Sequence, residues 1–318
     1  MEADKPQRID VHHHLFPPPF VAKLIENDHY LAHGVARRWT PQVSIEDMDA
    51  AGVATAITSI TAPGFAIAGR EVLFKLNREC NEYGARMTAD HPGRFGLFAS
   101  LPLPDVDRSL DEIRYALDTL HADGIGLLTS YQDKWLGDPG FAPVMDELNR
   151  RKAVVYVHPT APDCCRNLLP GVPDWVIEFP ADTTRAITSL LFSGTVARCR
   201  EIRFVFAHVG GILPLVSEHL VRAAQVDAQL GARVPNGVLS ELRRFHYDTA
   251  LRAHPTGLSS ALHMVDVDKL LFGTDAPLRN SRAQVEGLLA HAFSEHDRRK
   301  IDFENARRLL PRFSRLVA

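Results

Sequence analysis

Short apolar runs, rich in β-branched and aromatic side chains, alternate along the chain with longer stretches whose apolar positions recur at helical spacing. The runs predict strands at 8–12 (RIDVH), 53–60, 94–100, 124–129, 153–158, 203–208, 245–250 and 269–275. Several are apolar at consecutive positions, the pattern of parallel strands covered on both faces. Between them, 71–91 and 106–122 read as helices, the second through Leu110, Ile113, Leu117 and Leu120. The stretches 140–152, 181–200, 211–230 and 281–293 read the same way. Ser44-Ile-Glu-Asp47 has the form of a capping box, opening a short helix that Gly52 closes. Strands alternating with helices, with no shift of composition midway, predict one α/β domain over 1–318. Its natural form is a (β/α)8 TIM barrel. An open doubly wound sheet is the rival, and the lack of a Gly-rich phosphate loop after the first strand weakens its dinucleotide-binding version. The segment 16–41, with Pro17-Pro18-Pro19 and the aromatics Phe20, Tyr30 and Trp39, is too long for a simple connection. It reads as an insertion after the first strand, a lid over the barrel mouth.

In such a barrel the chemistry sits at the C-terminal ends of the strands. The first run ends in Asp10-Val-His12-His13-His14, the fifth in His158, the sixth in His208 and the eighth in Asp275. Side chains two apart on a strand share a face, so His12 and His14 point inward together while His13 faces the surrounding helices. Imidazole and carboxylate suit zinc, and similar sets take manganese or iron. A single histidine is more often a hydrogen-bonded core group than a ligand; it is the joint placement at strand ends that points to an ion. Phe16, Phe20, Trp39, Trp175 and Phe179 fall in loops or helix starts near the mouth, where they would favour a flat apolar substrate.

Charge narrows the function class. The formal net charge is −3 with no basic block, which argues against nucleic-acid binding. No stretch approaches the roughly 18 apolar residues of a membrane span, and the first residues lack the apolar core of a signal peptide. The four cysteines, Cys80, Cys164, Cys165 and Cys199, form no disulfide framework and fit a reducing cytoplasm; Cys164 and Cys165, in the loop after His158, read as buried inert thiols, with capture of a stray metal as the alternative.

At these residues the sequence resembles the amidohydrolase superfamily. It looks most like the branch with aminocarboxymuconate-semialdehyde decarboxylase, γ-resorcylate decarboxylase and 6-methylsalicylate decarboxylase. The matching segments are IDVHHHLFP, VVYVHPT, EFPADTTRAITSLLFSGTVARCREIRFVFAHVGGILP, LLFGTDAPL and FENARRLL, spread from end to end. The resemblance implies His12, His14, His158 and Asp275 as ligands of a divalent ion, zinc first and manganese second, with His208 as the acid/base beside it. No predicted strand end carries the lysine of two-metal relatives, which implies one ion. It also implies a homodimer, and a substrate carboxylate met by Arg37 or Arg38. His219 stands where relatives carry an arginine, with Arg222 one turn further on.

The resemblance implies a non-oxidative decarboxylase of a small hydroxyaryl or unsaturated carboxylic acid, with Asp275 as ligand and proton donor and His208 exchanging protons. A hydrolase of a lactone, ester or amide would use the same residues. A non-catalytic metal-binding barrel is a third reading, weakened because a structural site needs no adjacent acid/base.

Overall fold

The first strand, Arg8–His14, lies parallel to Val53–Ser59, and the pairing then steps in sequence order through Phe95–Ser100, Gly124–Leu128, Val154–His158, Arg203–Phe206, His246–Asp248 and Leu270–Leu271. The computed structural model describes residues 7–314; the first residues, read above as lacking a leader, and the last four lie outside the described residues. The eighth strand returns to the first. Val11 N–H donates to the Phe272 carbonyl (3.0 Å), Asp275 N–H to that of His12 (2.8 Å) and His14 N–H to that of Ala276 (2.7 Å). Consecutive parallel strands closed in this way form a (β/α)8 barrel, which disposes of the open-sheet rival.

Two apolar cores follow. Ile9, Val11, Ile57, Phe98, Tyr156, Val205 and Leu271 come from six strands and meet in one cluster, which only the barrel interior allows. The larger cluster packs the outer strand faces against the helices, among them Val53, Phe95, Val155, Phe206 and Leu270 with Leu76, Ile113, Leu148 and Ile187. Phe303, Leu309, Leu310 and Phe313 complete the inner cluster. Their segment is tied to strand beginnings: Arg8 pairs with Asp302 (3.1 Å), Arg203 donates to the Leu309 carbonyl (3.1 Å) and Arg312 to that of Phe95 (2.8 Å). The C-terminal segment therefore closes the floor, opposite the end that carries the histidines.

Strand beginnings fall where the apolar runs predict, but the sixth to eighth ladders stop short of their predicted ends. One local expectation needs correction. The helix after the insertion is Pro41–Ala51, capped by Thr40, whose hydroxyl accepts from Val43 N–H (3.3 Å); Ser44 lies inside it, buried, and its hydroxyl bonds His13 and Trp39 instead. Gly52 does close the helix, at φ 67°. The insertion 16–41 is partly built into the shell. Pro18–Glu26 is a helix, and Phe16, Phe20, Leu24, Leu31 and Trp39 sink into the shell between strands and helices.

At the floor, burial lifts the Asp123 carboxyl to about 6, although Arg312 and the Leu97 N–H oppose the shift. Its folded value lies above its unfolded one, so the stability it contributes is full below about pH 4 and lost as pH rises through about 6. Asp123→Asn has no such titration. From pH 4 to pH 7 the wild type should lose about 2–3 kcal/mol relative to the variant, at about 1.4 kcal/mol per unit. Paired urea titrations across that range check this.

Candidate metal centre and its surroundings

The first strand is not regular. Asp10 pairs with Ala56 but His13 with Thr58, three residues against two. The extra residue is a bulge, which re-aims side chains. Below it Ile9 and Val11 face the barrel interior; above it His12 and His14 do, and His13 turns outward to Ser44 (2.8 Å). Simple alternation gives the right facing for the histidines but misses why two adjacent positions, Val11 and His12, both point inward. Asp10 holds the bulge. Its carboxylate accepts from the His12 and Thr274 N–H groups (3.0 Å each), from the Thr274 hydroxyl and from His13 Nδ1 (3.0 Å). The first strand is thereby stitched to the segment that carries Asp275.

His12, His14, His158 and Asp275 converge, each offering one ligand atom, all within 4.8 Å of one another. His12 Nε2 lies 3.2 Å from both His14 Nε2 and Asp275 Oδ1, and His14 Nε2 lies 3.1 Å from the same oxygen. Two ligands of a tetrahedral ion at the usual 2.0–2.1 Å stand about 3.3 Å apart, so these spacings fit an ion. The tautomers fit as well. His12 Nδ1 donates to Asp248 (2.9 Å) and His14 Nδ1 to the Ser59 carbonyl (3.3 Å), which leaves both Nε2 lone pairs turned inward. His158 Nδ1 is buried with no hydrogen-bond partner.

The electrostatics ask for positive charge here. Burial works against a charged His12, yet the carboxylates of Asp248 and Asp275 outweigh it and push the imidazole up to about 10. Burial, helped by the neighbouring imidazoles, holds His158 well below its ordinary value, and burial lowers His14 too. Asp275 is also buried, but hydrogen bonds from His12 and His14 keep its carboxyl well below the usual range. A site that retains a proton so strongly meets the same demand with a divalent cation.

His208 stands beside this group, its ring centroid 4.9 Å from that of His12. Burial, then the charge on His12, lowers it to about 4, and its Nε2 is buried without a partner. Its backbone departs from the predicted strand. His208 and Val209 both sit at φ 54°, followed by Gly210 and Gly211 at 72° and 74°. A β-branched residue in the left-handed region is strained, so the surroundings must impose it. The His208 N–H donates to Asp248 Oδ1 (3.0 Å), and Thr184 Oγ1 donates to the Gly210 carbonyl (3.2 Å) while accepting from Ile212 N–H (3.1 Å). A side chain on Gly211 would meet the Pro180 carbonyl oxygen at 2.1 Å. The Phe179–Thr184 stretch thus docks on the turn that presents His208.

Asp248 is the residue the sequence reading missed. Oδ2 accepts from His12 Nδ1 and from the Tyr156 hydroxyl (3.3 Å); Oδ1 accepts from the His208 and Ala250 N–H groups (3.0 Å each). The available signal was an aspartate inside the apolar run FHYDTA, since a carboxylate buried on a strand must be paired.

Two cavities lie near the centre. One, of about 770 Å3, reaches His158 and Tyr156 and is walled by Ser59, Leu128 and Thr160. The other, of about 400 Å3, is lined by Tyr30, Trp175 and Phe179, with Pro63, Thr160 and Arg166. The Phe179 ring lies 6.2 Å from that of His158. The insertion contributes His29 and Tyr30 to these walls, and Trp175 and Phe179 line the smaller cavity. The other proposed contacts lie elsewhere. Phe16 and Trp39 are packed ring to ring in the shell (6.2 Å), and Arg37, Arg38, Arg222 and His219 are exposed; none of them lines either cavity.

A family profile described as amidohydrolase matches residues 9–312. The decarboxylase yanB of Aspergillus niger is 36% identical over 96% of this chain and 88% of its own length. The 6-methylsalicylic acid decarboxylase acuB of Aspergillus aculeatus is also 36% identical, over 85% of this chain and 84% of its own. A dihydroxybenzoic acid decarboxylase from Polaromonas sp. JS666, solved with bound manganese and the inhibitor 2-nitroresorcinol, has the same fold, with a TM-score of 0.86 at 21% identity over 98% of each chain.

Removing the Asp248 carboxylate should loosen the centre without unfolding the barrel. For Asp248→Ala the affinity for a divalent ion is expected to fall about 10- to 100-fold, as for other residues that orient ligand histidines. Chelator competition on the purified variant measures it.

Proposed function

The chain belongs to the amidohydrolase family, and from that premise we propose that it is a metal-dependent, non-oxidative decarboxylase of a small ortho-hydroxyaryl carboxylic acid. The observation that carries the reading is the convergence of His12, His14, His158 and Asp275 beside a neutral His208, with Phe179, which lines the aromatic cavity, next to His158. The decarboxylase names of the relatives support the reaction class, and the 6-methylsalicylic acid named for one of them supports the substrate class.

One divalent ion is part of the proposal. Three imidazoles and a carboxylate favour zinc, and the manganese in the Polaromonas protein supports that ion as the alternative. When bound, the ion supplies Lewis acidity for the carboxylate and phenolate oxygens of the acid. The residues of the chain do the rest. Phe179, Trp175 and Tyr30 hold the ring flat and keep water from its face. A proton must reach the carboxyl-bearing carbon, where a C–H bond forms at the expense of the ring's aromaticity. The C–C bond then breaks, its electron pair returns to the ring and carbon dioxide leaves. In this reading the ortho-hydroxyl's proton passes to Asp275 as the acid binds and from Asp275 to that carbon, and His208, whose Nε2 has no partner, exchanges the proton that the product's phenolate then needs.

A homodimer and a cytoplasmic location complete the reading. Leu215 and Val226 are 73% and 63% exposed on the helix Leu213–Val226 that follows the His208 turn, on a face they share with the exposed Glu218, His219 and Arg222, and this is the face we assign to a second copy. Arg222 lies on that helix too, and its place in the reading is as a group offered to the second copy's site. The four unpaired cysteines support a reducing compartment, and among the described residues no helix is long and apolar enough to cross a membrane.

Purified protein should release carbon dioxide from salicylate-type acids, and chelation should abolish the release. Ring opening of lactones without carbon dioxide release would instead establish the hydrolase. His208→Ala is expected to lower kcat by about 10²- to 10⁴-fold, the range for a lost acid/base, while elemental analysis still finds one ion per chain. His12→Ala should lose the ion itself.

A further inference from the structure

The loop after the fifth strand carries two adjacent thiols that no step above uses. Cys164 and Cys165 end the short turn Asp163–Cys165. Cys165 N–H donates to the Pro162 carbonyl (3.0 Å), and Cys164 N–H donates to Asp133 Oδ1 on the neighbouring hairpin (3.0 Å). The sequence suggests inert buried thiols here. The structure instead leaves Cys164 exposed and Cys165 half-exposed, their sulfurs 3.0 Å apart. Cys80 and Cys199 are the buried ones. Pro162, Asp163 and Arg166, on either side of the pair, line the larger cavity, so the thiols stand on the rim of the active-site mouth.

Two chemistries are open to such a pair, and geometry separates them. Cα atoms joined by a trans peptide lie about 3.8 Å apart, below the roughly 4.4–6.8 Å of a relaxed disulfide. An internal disulfide would therefore have to distort the turn. Bridging by one soft atom asks for much less. With bonds of about 2.3 Å, as for zinc–thiolate, sulfurs about 3.0–3.8 Å apart subtend about 80–110° at the bound atom, close to what a pyramidal or tetrahedral centre adopts.

We propose that Cys164 and Cys165 form a chelating dithiol site for trivalent arsenicals and soft, thiophilic cations, separate from the histidine–aspartate centre. A trivalent arsenical exchanges its oxygen for thiolate sulfur and has no such exchange with imidazole or carboxylate, so it reports on this pair and not on the histidine–aspartate centre. With an aryl arsenous oxide, both thiol protons pass to the oxide oxygen, which leaves as water. Two As–S bonds replace the bonds to oxygen, and arsenic stays trivalent, so no oxidant or reductant is needed.

The test uses the metal-loaded protein and phenylarsine oxide, read by intact mass spectrometry, and does not depend on the decarboxylase reading. One phenylarsenic group per chain is expected, released by a small dithiol but not by an equal concentration of monothiol. Cys164→Ser and Cys165→Ser should each reduce retained label at least tenfold. An unlabelled wild type, or label that persists in the Cys164→Ser/Cys165→Ser double variant, overturns the proposal.

Discussion

One buried carboxylate sets the geometry on which the centre depends. Asp248 lies at the end of the seventh strand with no access to water, and each of its oxygens takes two donors. A charge this deep is tolerable only when fully paired. The pairing that satisfies it also fixes the His12 tautomer, the Tyr156 hydroxyl and the start of the turn that bears His208. The group that orients a proposed ligand and the group that positions a proposed acid/base are thus one residue, and neither can shift without stranding the charge.

Asp10 plays the matching part on the other side of His12. It accepts from the backbone of both the first and the last strand segments, so the seam that closes the barrel runs directly beside the centre. Barrel closure and the approach of Asp275 to the histidines are the same event. The bulge between Asp10 and His13 becomes intelligible in that light. It places an apolar residue and a histidine side by side facing inward, the first packing the interior and the second beginning the polar layer above it.

Much of this was legible from residue order. Apolar runs two-sided in character located the strands because parallel barrel strands are covered on both faces, and the polar residue ending each run located His12, His14, His158 and Asp275. What failed was whatever depends on the third dimension. Ser44 has the right neighbours for a cap, but Thr40 lies at the actual helix start and Ser44 is claimed by His13 and Trp39. Phe16 and Trp39 are aromatic and close in sequence to the mouth, yet burying them in the shell removes more apolar surface from water than lining a cavity would. The left-handed run from His208 to Gly211 is imposed by Pro180, Thr184 and Asp248, none of them a sequence neighbour. Only its two glycines hint at it.

The packed interior also decides how matter moves. Ile9, Val11, Phe98 and Leu271 fill the barrel beneath the histidines, and Phe303 and Phe313 seal what lies below. Apolar side chains thus plug the barrel below the polar layer, and the cavity lined by Tyr30, Arg166 and Trp175 lies at the opposite end. In the proposed reaction the acid enters and carbon dioxide leaves by that same end.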